Sequence, residues 1–200
     1  MPEHLILIRH FETDAPVKGA FYGSTDLSIR EGADESFDIL KELFDKNQIE
    51  KIFCSPKKRC KQTADIYFPQ QEKVFLEEAV EADFGEWEGK TYAEIVKDYP
   101  DVNDWASPGF SFPGGESIKS FENRIEKVLD SIYKCESPVA VLVCHAGVIR
   151  YLICNLLGIE YNRSLSFNIE PGSLTHMKLF DNRMGILSAV NVKGIFSWPA

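Results

Sequence analysis

The sequence predicts an α/β fold, a three-layer α/β/α sandwich on a mainly parallel sheet, from three observations. Two nearly continuous apolar runs, at 4–9 and 139–144, suit strands covered on both faces. Strand-like and helix-like segments alternate along the chain, the order that crossover helices impose on parallel strands. No repeat, low-complexity tract or linker interrupts them, so residues 1–200 are expected to form a single domain with one continuous core.

Taken in order, the first strand is expected over 4–9, followed by a Gly-containing loop from Phe11 to about Ile29. Ser28 and Glu31 have capping-box spacing ahead of a helix reaching about Phe44. A second strand is expected over 49–54. Ser55 should then cap a helix over 57–67, with Pro56 at its first position. The stretch 76–115 is rich in Gly, Pro, acids and aromatics and reads as irregular, the length typical of a lid or binding segment. One short helix should start at Thr91, where Glu94 completes a capping box. From Ser117 to Tyr133, apolar Ile118, Phe121, Ile125, Val128, Leu129 and Ile132 share one helical stripe. The strand at 139–144 turns through His145-Ala146-Gly147 into a helix ending near Gly158. Two or three strands close the chain around 165–169, 174–180 and 186–190, with a turn at Asp181-Asn182.

Composition narrows the function. With 44 % hydrophobic and 26 % charged residues, the chain has the balance of an ordinary globular protein. Its formal net charge of −9 argues against nucleic acid or an anionic membrane as partner, because both need a basic field. A local arginine cluster can still bind a small anion, since screening limits exposed charges to about 8 Å. Five cysteines without C-x-x-C spacing fit neither a disulfide framework nor a zinc ribbon. The apolar run after Met1-Pro2-Glu3 is too short to span a membrane and follows no basic leader, so a cytoplasmic setting is expected. No His/Asp/Glu cluster has metal spacing, and no cofactor is expected; oligomeric state is not legible.

Three strand-to-helix junctions hold the chemistry: Arg9-His10-Phe11-Glu12-Thr13, Cys54-Ser55-Pro56 through Arg59 to Thr63-Ala64, and Cys144-His145-Ala146-Gly147-Val148-Ile149-Arg150. Ligands of open α/β sheets bind beyond the carboxyl ends of the strands. If these strands are neighbours, Arg9, His10, Arg59 and His145 converge there as a cationic nest for a dianionic phosphoryl group.

These motifs resemble those of the histidine phosphatase superfamily, the phosphoglycerate-mutase-like family, whose signature begins Arg-His-Gly-x-Thr after strand one. The resemblance spans nearly the whole chain and includes Glu81-Ala82-Asp83-Phe84-Gly85-Glu86-Trp87-Glu88-Gly89 and Phe112-Pro113-Gly114-Gly115-Glu116-Ser117. It implies a metal-independent phosphomonoesterase with His10 as nucleophile. Arg9, Arg59 and His145 would bind phosphoryl oxygens, and Glu81 would be the proton donor, chosen among the neighbouring acids Glu77, Glu78, Glu86 and Glu88. Phe11 stands where the family has Gly, and Pro16 where many members have Asn. The loop Tyr22-Gly23-Ser24-Thr25-Asp26 and Asp104-Trp105 are similar to a branch of α-ribazole phosphatases. That similarity implies α-ribazole 5′-phosphate as substrate, in cobalamin assembly, with Tyr22, Gly23, Ser24 and Ala146 adding substrate contacts.

Other readings stay open at this point. The segment from Cys144 to Arg150 also fits the C-x5-R loop of thiolate phosphatases. A phosphoglycerate mutase, a broad sugar phosphatase, or a phospholigand-binding module in which Phe11 blocks attack would share the same residues. Trp87 and Trp105 could wall the substrate cleft or pack a lid; His4, His176 and Trp198 read as structural.

Overall fold

Strand alternation separates two cores. In β1 (His4–Arg9), Leu5 and Leu7 face one side of the sheet, while Ile6 and Ile8 face the other. β4 (Val139–Cys144) does the same, with Ala140, Leu142 and Cys144 on the first side and Val139, Val141 and Val143 on the second. Both strands are buried on both faces, which is why they read as apolar runs rather than as alternating ones. The computed structural model describes residues 1–33, 49, 51–100 and 107–193. Its other strands are β2 (Lys51–Cys54), β3 (Glu72–Phe75), β5 (Leu174–Leu179) and β6 (Gly185–Val192). They form a six-stranded mixed sheet in the order β3-β2-β4-β1-β5-β6. The run β3-β2-β4-β1 is parallel, and β5 and β6 add antiparallel.

Helices cover both faces. α1 (Lys58–Tyr67) buries Cys60, Ala64 and Tyr67 on the side of Ile6 and Ile8. α3 (Ile118–Tyr133) and α4 (Ala146–Leu157) pack on the side of Leu5 and Leu7, while α2 (Tyr92–Asp98) adds Ile95 to that core. The apolar stripe expected for α3 is the set it buries, and Ser117 caps it by accepting from the Ser120 amide at 3.0 Å. Thr91 and Glu94 form the capping box of α2. Gly158 closes α4 in the left-handed conformation, φ 65°, where only glycine is unstrained. No helix among the described residues is long and apolar enough to cross a membrane.

Several expectations are corrected. α1 begins at Lys58 with Lys57 as its N-cap and no side-chain cap; the Ser55 hydroxyl meets His145 Nε2 at 2.8 Å and accepts from the Lys57 amide at 3.5 Å. β3 was not expected; it is a short edge strand whose Glu72 and Phe75 are exposed, so its apolar signal is weak. The segment expected as a strand at 165–169 is instead a 3₁₀ turn, Tyr161–Ser166, followed by extended chain that does not join the sheet. Among the described residues of the stretch read as irregular lie the 3₁₀ turns Glu77–Ala79 and Gly85–Trp87, besides α2. The helix read as reaching Phe44, the Asp104-Trp105 pair and Trp198 lie outside the described residues.

Candidate active site

Register brings the three junctions to one rim. Arg9 pairs with Cys144, and Cys54 with Val143, so the chain leaves β1, β2 and β4 at the same level. The His10 amide then donates to the Cys144 carbonyl at 3.0 Å, and the Ser55 amide to the Val143 carbonyl at 2.9 Å. Beyond this rim lies a cavity of about 390 Å³, lined by Arg9, His10, Arg59, Glu81, Ala146 and Arg150 among others.

His10 sits in the floor of the cavity. Its Nδ1 lies 2.7 Å from the Phe11 carbonyl, which can only accept, so Nδ1 carries the proton and Nε2 the lone pair. Nε2 has no hydrogen-bond partner among the described residues. Burial, with the Arg9 and Arg59 guanidinium groups beside it, holds the imidazole well below the usual histidine range. Arg9 donates through Nη1 to the Ile169 carbonyl, while its buried Nε has no partner among the described residues. Burial lowers the Arg9 guanidinium to about 10, so it remains charged at neutral pH.

Arg59, 1 % exposed, is held on four sides. Nη1 donates to the Thr25 carbonyl at 2.7 Å, and Nη2 to those of Gly23 at 2.9 Å and Tyr22 at 3.4 Å. Nε donates to His145 Nδ1 at 3.3 Å. That leaves His145 Nε2 as the protonated nitrogen, donating to Ser55 Oγ at 2.8 Å. His145 does not line the cavity. Fully buried, it meets His10 edge-on, ring centroids 5.2 Å apart, and supports His10 and Arg59 from behind. Burial, followed by Arg59, His10 and Arg9, keeps it well below the usual histidine range as well.

Of the acids at 77–88, Glu81 is the one that lines the cavity. Its Oε2 accepts from the Gly147 amide at 3.0 Å, at the start of α4, and its Oε1 from the Ala82 amide at 3.1 Å. Glu88 serves the loop instead, accepting from the amides of Gly23 and Ser24, both at 2.8 Å, and from the Thr25 hydroxyl at 2.6 Å. Glu86 accepts from the Tyr99 hydroxyl at 2.6 Å.

The expected substrate contacts divide. Tyr22 and Ala146 line the cavity; Gly23 and Ser24 do not, because their amides face Glu88. Phe11 is 1 % exposed and packs on Tyr67 with ring centroids 5.0 Å apart, so it fills the core instead of blocking His10. Its φ is not positive, which removes the need for glycine there. Trp87 is buried in an aromatic cluster with Phe21, Phe110 and Phe112 and does not reach the cavity. Cys144 is fully buried and outside the cavity, and burial pushes its thiol well above the usual range, which opposes a thiolate nucleophile.

Sequence reasoning overlooked Arg150, Tyr161 and Ser164 on the cavity wall. Arg150 belongs to the third junction but has no assigned contact in the sequence reading, and Tyr161 and Ser164 lie in a 3₁₀ turn without a recognisable motif. Arg150 donates through Nε to the Phe167 carbonyl at 2.8 Å, and its terminal nitrogens have no hydrogen-bond partner among the described residues. No group of three or more His, Cys, Asp or Glu is placed to hold a metal ion among the described residues.

Comparison with known proteins identifies the family and the fold. The family model of the histidine phosphatase superfamily (branch 1) matches residues 5–192. Phosphoserine phosphatase 1 of Hydrogenobacter thermophilus is 29 % identical over 189 residues, 92 % of this chain and 90 % of its own. The adenosylcobalamin/α-ribazole phosphatase of Escherichia coli is 24 % identical, covering 96 % of this chain and 97 % of its own. The crystal structure of the α-ribazole phosphatase of Shigella flexneri superposes with a TM-score of 0.81 at 24 % identity, over 98 % of this chain and all of that one.

Proposed function

The chain belongs to the histidine phosphatase superfamily, and from that premise we propose that it hydrolyses a small phosphorylated metabolite through a phosphohistidine on His10. It is a phosphoric monoester hydrolase. The observation that carries the reading is His10 itself, with Nδ1–H tied to the Phe11 carbonyl and Nε2 without a partner, in a cavity that also holds Arg9 and Arg59.

Nε2 attacks phosphorus in line as the bond to the leaving oxygen breaks, and Glu81 passes its proton to that oxygen. The phosphoimidazolium keeps its Nδ1–H on the Phe11 carbonyl. Arg9 and the remaining Arg59 Nη1 hydrogen stabilise the equatorial oxygens in the loose transition state. Water then attacks the phosphohistidine, gives a proton to Glu81, and the P–N bond breaks to restore neutral His10. His145 acts by fixing Arg59 and His10, which modifies the direct phosphoryl contact expected from sequence.

The leaving group faces a wall that includes Phe21, Phe84, Phe112, Leu27 and Ile118, apolar and aromatic enough for a ring-bearing alcohol. That favours α-ribazole 5′-phosphate, hydrolysed to α-ribazole in cobalamin assembly. The Arg150 guanidinium on the same cavity favours a second reading, an acidic alcohol such as that of phosphoserine. A reducing cytoplasm and a single domain over residues 1–200 complete the proposal, in keeping with five free cysteines.

Phosphate release from α-ribazole 5′-phosphate, phosphoserine, sugar phosphates and phosphoglycerates tests it, with isomerisation followed in parallel. Wild type is expected to hydrolyse one of them through an acid-labile, alkali-stable phosphoenzyme that His10→Ala cannot form. Retained turnover in His10→Ala with loss in Cys144→Ser overturns the mechanism, and isomerisation outrunning release makes the protein a mutase.

A further inference from the structure

We propose that Gly147 is a positioning residue for Glu81, its bare Cα forming the seat in which the carboxyl is held against the leaving oxygen. The proposal rests on Glu81 as proton donor.

Gly147 gives the carboxyl both space and an anchor. Its amide donates to Oε2 at 3.0 Å, and a Cβ added there would lie 2.3 Å from Oε1 and 3.1 Å from Cδ. Nothing about the backbone demands glycine, since Gly147 lies inside α4 and its φ is not positive. The reason for glycine is therefore the carboxyl.

The main chain of Glu81 cannot retreat from an added methyl. Arg124 donates through Nη2 to the Glu81 carbonyl at 3.0 Å and through Nη1 to the Glu78 and Val80 carbonyls at 2.7 and 2.6 Å. The same guanidinium is locked in two 2.8 Å bonds to the Glu116 carboxylate. On the far side, Gly23 packs so closely that a Cβ there would fall 1.7 Å from the Ala82 carbonyl oxygen. What can move is the free end of the Glu81 side chain. An alanine at 147 would thus leave the fold in place and turn the carboxyl out of its seat, away from the Gly147 amide.

Leaving-group dependence tests this. kcat/KM reports formation of the phosphoenzyme, and an alkoxide needs a proton there while 4-nitrophenolate does not. Gly147→Ala is expected to lower kcat/KM by about 10- to 100-fold for the best alkyl phosphate of the screen, and by under about threefold for 4-nitrophenyl phosphate. Its unfolding temperature should not fall, because alanine is the better helix former. Glu81→Gln should show the same discrimination, and the double variant should lose little more than Glu81→Gln alone, as expected when one residue acts through the other. Equal losses on both substrates, no loss, or additive losses overturn the role of Gly147. If Glu81→Gln itself does not discriminate, the proton-donor reading falls and takes this proposal with it.

Discussion

Imidazole groups in water change charge near pH 6.5. At His10 and His145 that change is displaced downward, because burial removes hydration from the charged form and Arg9 and Arg59 repel it. The consequence is an imidazole at His10 whose lone pair stays available across the physiological range, as the proposed nucleophile requires. Imidazole resonances of His10 and His145 are therefore expected to stay at their neutral positions from pH 7.5 to 5.5, roughly the window in which an unperturbed histidine titrates. A titration of His10 within that window, followed by NMR, would contradict the electrostatic account. At this scale the sequence was legible where a residue's chemistry is rare, as in Arg9-His10. It was less so where a role depends on what lies opposite. Arg59 and His145 were expected to point at phosphate, yet each spends most of its polar atoms on the other, on Ser55 and on loop carbonyls. Phe11 beside His10 has the bulk of an obstruction, and the packing against Tyr67 is what shows its ring entering the core.

The loop from Tyr22 to Thr25 shows how an element without regular structure is made rigid. Glu88 takes its amides and the Thr25 hydroxyl from one side, and Arg59 donates to its carbonyls from the other. Glu88 thereby orders Arg59, the cation proposed to face the phosphoryl group. Glu88→Ala should raise KM by about tenfold and cost about 1.5–3 kcal/mol of stability, the range for hydrogen bonds to a charged group. Initial rates of phosphate release and urea denaturation check both, and an unchanged KM would separate the loop from phosphate binding. Other elements were legible to the degree that their signal is local. β4 and the buried stripe of α3 follow from apolar spacing alone. β3 escaped notice because Glu72 and Phe75 are exposed at an edge, and its pairing with β2 is a long-range fact. Leu165 to Ile169 has the composition of a strand, but Arg150 holds the Phe167 carbonyl and the turn is recruited to the cavity wall. Local propensity lost to tertiary contact there.

Across the whole molecule, the same burial that prepares the site sets its response to acid. His10 and His145 are held neutral well below the usual range, and burial lowers His176, paired with His4 across β1 and β5, to about 4. An unfolded chain protonates all of these near pH 6.5, while the folded one does not. Between those values the unfolded state binds more protons, so stability rises with pH and is lost as pH falls from about 6.5 toward 4. Glu88 acts in the same direction at lower pH: burial pushes its carboxyl up, but the hydrogen bonds from Thr25, Ser24 and Gly23 together outweigh it and hold the group below the ordinary value, and the stability they confer fades once it is protonated. The urea midpoint should therefore be flat above about pH 7 and fall continuously below about 6.5, starting before any ordinary carboxylate titrates. His176→Gln should remove part of the drop between about pH 6.5 and 4 while leaving phosphate release intact, since His176 lies in the sheet away from the cavity. A midpoint that holds steady down to pH 5 would show that the buried imidazoles do not govern acid stability.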